Sequence, residues 1–335
     1  MHASDPSRLG PSPPSAPPHK EAHGIAASAP AAISRGRAPA RRLSDLRKAQ
    51  MRAGYVFVLP SIVLYAAFVL APVAITIILS FTYYDISFGA DWVGFENYVR
   101  FLTEPRSLEI FWNTLRFAFL AVTFNVAVGL ILALALNRAM PKFLLYFFRL
   151  AFFLPVIISA AFVAVVWSYF YSFDFGVLNY YLQQIGIPAV PWLSSSRFAM
   201  TSIVIMDVWK NTGFFMIILI AALQGVPKPI MDAASMDGAS PWRRFSRITL
   251  PFISPVLFFC IVFASIGALQ VFESIMILTG GGPGDSTRSL SIYLVDEAFG
   301  SFELGYAAAV SVIMMILVLI ITIIQIVGSR RWVRE

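Results

Sequence analysis

Apolar residues in this chain come in long unbroken runs, not in the alternating or one-faced patterns of a soluble fold. Six runs reach the ~20 residues that a helix needs to cross ~30 Å of hydrocarbon: residues 53–82, 117–136, 150–173, 198–223, 256–278 and 304–328. Four of the six carry no charge. The run 198–223 is interrupted by Asp207 and Lys210, and 256–278 by Gln270 and Glu273. Backbone polar groups in lipid must be satisfied within their own segment, so each run is expected as a helix, with Pro60 and Pro72 as kinks in the first. Residues 1–50 are rich in Pro, Ala and Ser and show no helical or strand period; they are expected as a disordered tail ahead of a six-helix domain at 51–335. The first apolar run starts only at Ala53, too late for the core of a cleavable signal peptide.

Composition closes off the soluble alternative. The chain is 58% hydrophobic and 13% charged, against about 25% charged in an ordinary globular protein, and its mean hydropathy is +0.75. The net charge of +7 does not point to nucleic acid, because the basic residues sit in short clusters between apolar runs. Nineteen Lys and Arg fall on one side of the six-span arrangement and four on the other, which predicts that both termini lie in the cytoplasm. Cys260 is the single cysteine, so there is no intrachain disulfide or cysteine metal cluster, and His2, His19 and His23 all lie in the tail. No Lys follows a Gly, so the phosphate-binding loop of a nucleotide hydrolase is missing.

The polar stretch 227–251 has its own local grammar. Good helix formers follow Pro227 and Pro229 as far as Met236, and Gly238 offers the left-handed residue that ends a helix. Ser240 and Pro241 supply an N-cap and a first-turn proline for a second short helix. On it Trp242, Phe245 and Ile248 share a face, while Arg243, Arg244 and Arg247 point elsewhere. Two short amphipathic helices with a tight turn make a protruding knob parallel to the membrane. On pattern alone the knob either anchors the loop among lipid headgroups or docks on another protein.

This segment resembles the EAA loop of permease subunits in bacterial binding-protein-dependent ABC importers. That motif runs Glu-Ala-Ala, three residues, Gly, nine residues, Ile-x-Leu-Pro. Here Asp232-Ala233-Ala234, Gly238 and Ile248-Thr249-Leu250-Pro251 keep every interval, with Asp232 in place of glutamate. Other stretches are similar to the carbohydrate branch, the relatives of the maltose and glycerol-3-phosphate permeases. They are residues 92–98 (WVGFENY) after the first span, Trp167, Gly176 and Asn179 at the exit of the third, and residues 278–283 (LTGGGP) after the fifth, followed by Tyr293 and Ala298-Phe299.

The resemblance implies an all-α polytopic membrane protein with the type I ABC importer permease fold: six transmembrane helices, both termini cytoplasmic, in a bacterial plasma (inner) membrane. It implies half of a translocation pathway for a mono- or oligosaccharide, or alternatively an acidic saccharide or glycerol-phosphate-type substrate. The implied partners are a second homologous permease, two ATPase subunits, an extracytoplasmic solute-binding protein and membrane lipid. ATP and Mg would be held by the ATPase, leaving this chain without a cofactor or an enzymatic activity. The coupling contact to the ATPase maps onto Asp232, Ala233, Ala234, Asp237, Gly238, Trp242, Arg243, Phe245, Ile248, Leu250 and Pro251.

For the substrate the resemblance implies two sets of positions. Counting back from Leu223-Gln224 gives Lys210, Asn211 and Phe214; counting back from Leu278-Thr279 gives Gly267, Ala268 and Val271, with Gln270 and Glu273 nearby. An aromatic ring beside hydrogen-bonding groups suits a pyranose. Asp207 and Lys210, three apart, can also pair as a neutralised structural unit. An ion-coupled secondary transporter would explain Asp207, Lys210 and Glu273 but should show paired broken helices in repeated halves, and no such repeat is visible. A membrane transferase would need catalytic groups near a headgroup boundary, where only scattered carboxylates are available.

Overall fold

The computed structural model describes residues 40–85, 89–138 and 140–330, and the chain divides into two units, residues 1–62 and 63–335. The expected disordered tail therefore lies mostly outside the described residues. From Ala40 onward the chain is helical, so the first helix begins ahead of the boundary at residue 50. Residues 40–50 contain neither Gly nor Pro and are mostly good helix formers, a local signal hidden by the composition of the whole tail.

The described part of the first unit is most of helix α1 (Ala40–Tyr65). In the second unit a π-helical turn, Ala66–Leu70, leads into α2 (Ala71–Leu79). A small antiparallel hairpin, β1 (Thr82–Asp85) and β2 (Gly89–Trp92), pairs Thr82 with Trp92. It is the one sheet among the described residues of an otherwise helical protein. There follow α3 (Glu96–Thr103), α4 (Pro105–Leu136), α5 (Lys142–Ile157), α6 (Ala160–Phe170), α7 (Val177–Gln184) and α8 (Ala199–Gln224). Next come α9 (Lys228–Met236), α10 (Pro241–Arg244), α11 (Leu250–Leu269), α12 (Glu273–Leu278), α13 (Leu290–Val295) and α14 (Leu304–Ser329).

Among the described residues there are five apolar helices of spanning length, or six spans if a bent helix pair is counted as one, and not all are as drawn from the hydropathy. Five helical stretches are long and apolar enough to cross a membrane: Gln50–Leu79, Pro105–Leu136, Ala199–Gln224, Pro241–Leu269 and Leu304–Ser329. The expected straight third span, 150–173, is instead the bent pair α5 and α6, which meet at 102°. The break falls three residues after Pro155, where Ile158 and Ser159 leave the helical conformation with ψ of 138° and 139°. The fifth span begins much earlier than 256 and stops at Leu269, so residues 273–278 form the separate helix α12.

Packing in the second unit centres on α4 and α8, with α5 on α8 and α11 on α4. Ala121, Ala133, Met206, Met216 and Leu219 are fully buried there. Gly213 lets the backbone of α5 approach α8: a Cβ at this position would lie 2.0 Å from the Phe152 carbonyl oxygen. Small residues permitting close helix contact are a usual means of association in lipid, where apolar burial gives little drive.

The loops carrying the family-like stretches are latches. Phe81 stacks on Trp92 with ring centroids 5.6 Å apart, and meets Phe95 edge-on. Asn97, buried, donates through Nδ2 to the Ser80 and Thr82 carbonyls at 2.9 and 3.0 Å. Asn179 ties the segment after α7 to its start: its Oδ1 accepts from Val190 N at 3.0 Å and Trp192 Nε1 at 2.9 Å, and its Nδ2 donates to the Val190 carbonyl at 3.0 Å. In the glycine-rich loop, Thr287 Oγ1 donates to the Gly282 carbonyl at 2.8 Å, and Asn113 of α4 donates to the Asp285 carbonyl at 2.7 Å. Burial pushes the Asp285 carboxyl upward, yet hydrogen bonds from Arg106 (2.7 Å) and Arg288 (2.5 Å) outweigh it and hold the group below the usual aspartate range.

Candidate functional site

A cavity of about 320 Å³ opens between α4, α5, α8 and α11. Asn211, Phe214, Gly267, Ala268 and Val271, all picked out from the sequence, line it together. The helical period brings Asn211 and Phe214, three apart on α8, to one face, while Gly267 and Ala268 come from the last turn of α11 and Val271 from the link that follows it. Phe214 stacks on Phe263 with centroids 5.0 Å apart, so one of its faces is already occupied by a ring. Phe117, Asn125, Val156, Phe215, Phe263 and Ala264 complete the wall beside Asp207.

Three expected residues do not line this cavity. Gln270 follows the last turn of α11 and Glu273 opens α12, and both are exposed. The Lys210 ammonium donates to Asn211 Oδ1 at 3.4 Å. Asp207 and Lys210 also form no direct ion pair among the described residues. Instead Asn211 lies between them, donating through Nδ2 to Asp207 Oδ1 at 2.9 Å. Asn125 of α4 donates to Asp207 Oδ2 at 2.8 Å. Asn125 was not singled out from the sequence, although a lone amide within the uncharged run 117–136 is the signal that marks it.

The second candidate region is the knob. Helix α9 ends with Gly238 at φ +73°, and Ala239 N returns to the Ala234 carbonyl at 3.0 Å, closing the helix as the glycine position foretold. Ser240 caps the next helix by accepting from Arg243 N at 3.3 Å, with Pro241 in the first turn. The expected second short helix is not separate, however. From Pro241 the chain runs through a π-helical turn, Phe245–Thr249, into α11, as one helical stretch to Leu269. Ile248, Leu250 and Pro251 belong to this stretch. Asp232, Ala233, Asp237 and Arg243 are exposed. So are Met236 at 89% and Trp242 at 74%, the latter leaning on Phe245 with centroids 5.7 Å apart. Arg244 donates to Ser235 Oγ, joining the two arms. The result is an exposed, apolar-tipped projection between two membrane spans.

A bent third span, a largely apolar cavity holding three polar side chains and a projecting loop are what a membrane-embedded transport subunit needs. The sequence profile of the family described as binding-protein-dependent transport system inner membrane component matches residues 125–334, and the chain belongs to that family as a multi-pass inner-membrane protein. It is 34% identical to the trehalose/maltose transport system permease protein of Thermococcus litoralis, over 86% of this chain and 97% of that one. It is 32% identical to the sulfoquinovosyl glycerol transport system permease protein of Agrobacterium fabrum, over 80% and 87%. Among solved structures, a chain of a bacterial ABC transporter involved in import of the acidic polysaccharide alginate superposes with a TM-score of 0.75 at 26% identity, covering 88% of this chain and 100% of that one.

Proposed function

We propose that this chain forms half of the membrane pathway of an ATP-driven importer for a mono- or oligosaccharide. The observation that carries the reading is the cavity: four phenylalanine rings beside Asn125, Asp207 and Asn211 offer a sugar both apolar faces and hydrogen-bonding groups. The relatives' names speak of trehalose, maltose, sulfoquinovosyl glycerol and alginate, all of them saccharides or glycosides. A sibling permease supplies the other half, a solute-binding protein delivers the sugar from outside, and two ATPase subunits hold ATP and Mg. The Lys and Arg asymmetry supports cytoplasmic termini and, with them, a knob on the cytoplasmic face. There Met236, Trp242 and Phe245 give the ATPase an apolar anchor and Arg243 a charged one.

Uptake of labelled saccharides by cells carrying the complete system tests this reading. Phe214→Ala removes an aromatic contact of ~1–1.5 kcal/mol and should raise the half-saturation concentration ~10-fold. Unchanged uptake kinetics in both Phe214→Ala and Asn211→Leu would take the cavity off the pathway.

A further inference from the structure

The charge of the substrate is the question that the relatives leave open, and the wall of the cavity bears on it. Asp207 lines the cavity with each oxygen already held by an amide, Asn125 on one and Asn211 on the other. Both donors are neutral, and no cation bonds directly to the carboxylate among the described residues. Lys210 reaches Asn211 Oδ1 at 3.4 Å and acts on Asp207 only across that amide, and no Lys, Arg or His lines the cavity. Asn125 is only 4% exposed, and its Oδ1 has no hydrogen-bond partner. The wall therefore offers a ligand acceptors in the remaining lone pairs of Asp207, while the Asn125 carbonyl stays buried behind it. Sugar hydroxyls donate to such groups. A sulfonate, phosphate or carboxylate cannot, and its charge would lie beside Asp207 among four phenylalanine rings, where screening is weak.

We infer that Asp207, positioned by Asn125 and Asn211, makes this half of the pathway selective for neutral, hydroxyl-rich saccharides over anionic ones. The inference rests on the saccharide reading above. It sets this chain apart from a carrier of an acidic polysaccharide, although the fold is shared.

Saturation-transfer NMR on the purified permease–ATPase complex tests it, with the solute-binding protein left out so that only the membrane site selects. Trehalose and maltose form the neutral arm, sulfoquinovosyl glycerol and a short alginate oligosaccharide the anionic arm. The wild type should give signal from the neutral arm and little from the anionic arm at equal concentration. In Asp207→Asn the anionic-to-neutral signal ratio should rise ~10-fold as the like-charge repulsion is lost, and Asp207→Glu should keep the wild-type ratio. A folding defect lowers both signals together and leaves the ratio where it was, so the variant's ratio is read only from protein that retains binding in the neutral arm. Preferred binding of an anionic probe by the wild type, or an unmoved ratio in such Asp207→Asn protein, overturns the selectivity. No binding in either arm would instead remove the saccharide cavity, and the selectivity with it.

Discussion

Gly213 and Gly267 look alike in the sequence, each a glycine in an apolar run, but their surroundings differ. A methyl at Gly213 would sit 2.0 Å from the Phe152 carbonyl oxygen, whereas nothing lies within 4 Å of a methyl at Gly267. Gly213→Ala must push α5 away from α8 and should destabilise the protein by ~1–3 kcal/mol, lowering its thermal unfolding temperature in detergent. Gly267→Ala should leave that temperature unchanged and reduce uptake, because its methyl enters the cavity. Equal unfolding temperatures for the two would contradict the packing described. The Asp285 carboxylate sets a second residue-scale expectation. Its pKa is held down in the folded protein by Arg106 and Arg288, so it adds stability that is complete above the unfolded aspartate value and lost as pH falls through the folded one. Acidification should therefore lower the unfolding temperature more in the wild type than in Asp285→Asn; identical acid profiles would remove the role assigned to this cluster. At this scale the site was only partly legible. Asn211, Phe214, Gly267, Ala268 and Val271, picked out by resemblance, line one cavity. Gln270 and Glu273, named as their neighbours, lie past the end of α11 at Leu269 and are exposed. Lys210 is off the cavity too, because a long flexible side chain can carry its charge away from the direction of its Cβ.

Elements whose signals are local were readable, and elements decided by a competition between signals were not. The Gly238 turn and the Ser240-Pro241 start each depend on one or two residues with a fixed conformational preference, and both formed as expected. Prolines in the apolar runs are ambiguous by contrast. The third span breaks shortly after Pro155, while the helical stretch from Pro241 to Leu269 continues through Pro251 and Pro255. A wide π-helical turn, Phe245–Thr249, directly precedes Leu250-Pro251, and another, Ala66–Leu70, directly precedes Ala71-Pro72. Widening a turn just before a proline relieves the clash of its ring with the preceding turn and absorbs the missing donor. Hydropathy carries no mark of such a turn. The continuity also joins the knob to the cavity, since α11 carries Phe263, Ala264, Gly267 and Ala268 at its far end. A push on Trp242 is thus a push on one helical lever. Gly238→Val forces a β-branched residue to φ +73° and should misplace α9 relative to that lever. We expect the variant to insert normally and the assembled system to hydrolyse ATP without uptake; wild-type uptake in Gly238→Val would deny the loop its coupling role.

For the whole molecule, the cavity raises a problem that one chain cannot solve. Its wall comes from four helices, and Phe263 and Gly267 are exposed, so a polar substrate resting there would meet lipid on its open side. Hydroxyl groups without partners in hydrocarbon are costly, which requires a second wall from another chain. A second copy of this chain would satisfy the geometry but not the electrostatics. Two-fold symmetry would turn both copies of Asp207 toward one shared cavity, with no cation lining either wall. Carboxylates so placed oppose each other's ionisation, and their hydrogen bonds come from amides alone. A different permease, with other groups at the facing position, avoids that conflict. Native mass spectrometry of the transport-competent complex should therefore find one copy of this chain beside one copy of a non-identical membrane subunit and two ATPases. Separating this chain from that sibling should abolish saccharide binding while leaving the helical content intact by circular dichroism. An active complex built on two identical copies would overturn the expectation, and would mean that the two Asp207 carboxylates are neutralised by a group outside this cavity.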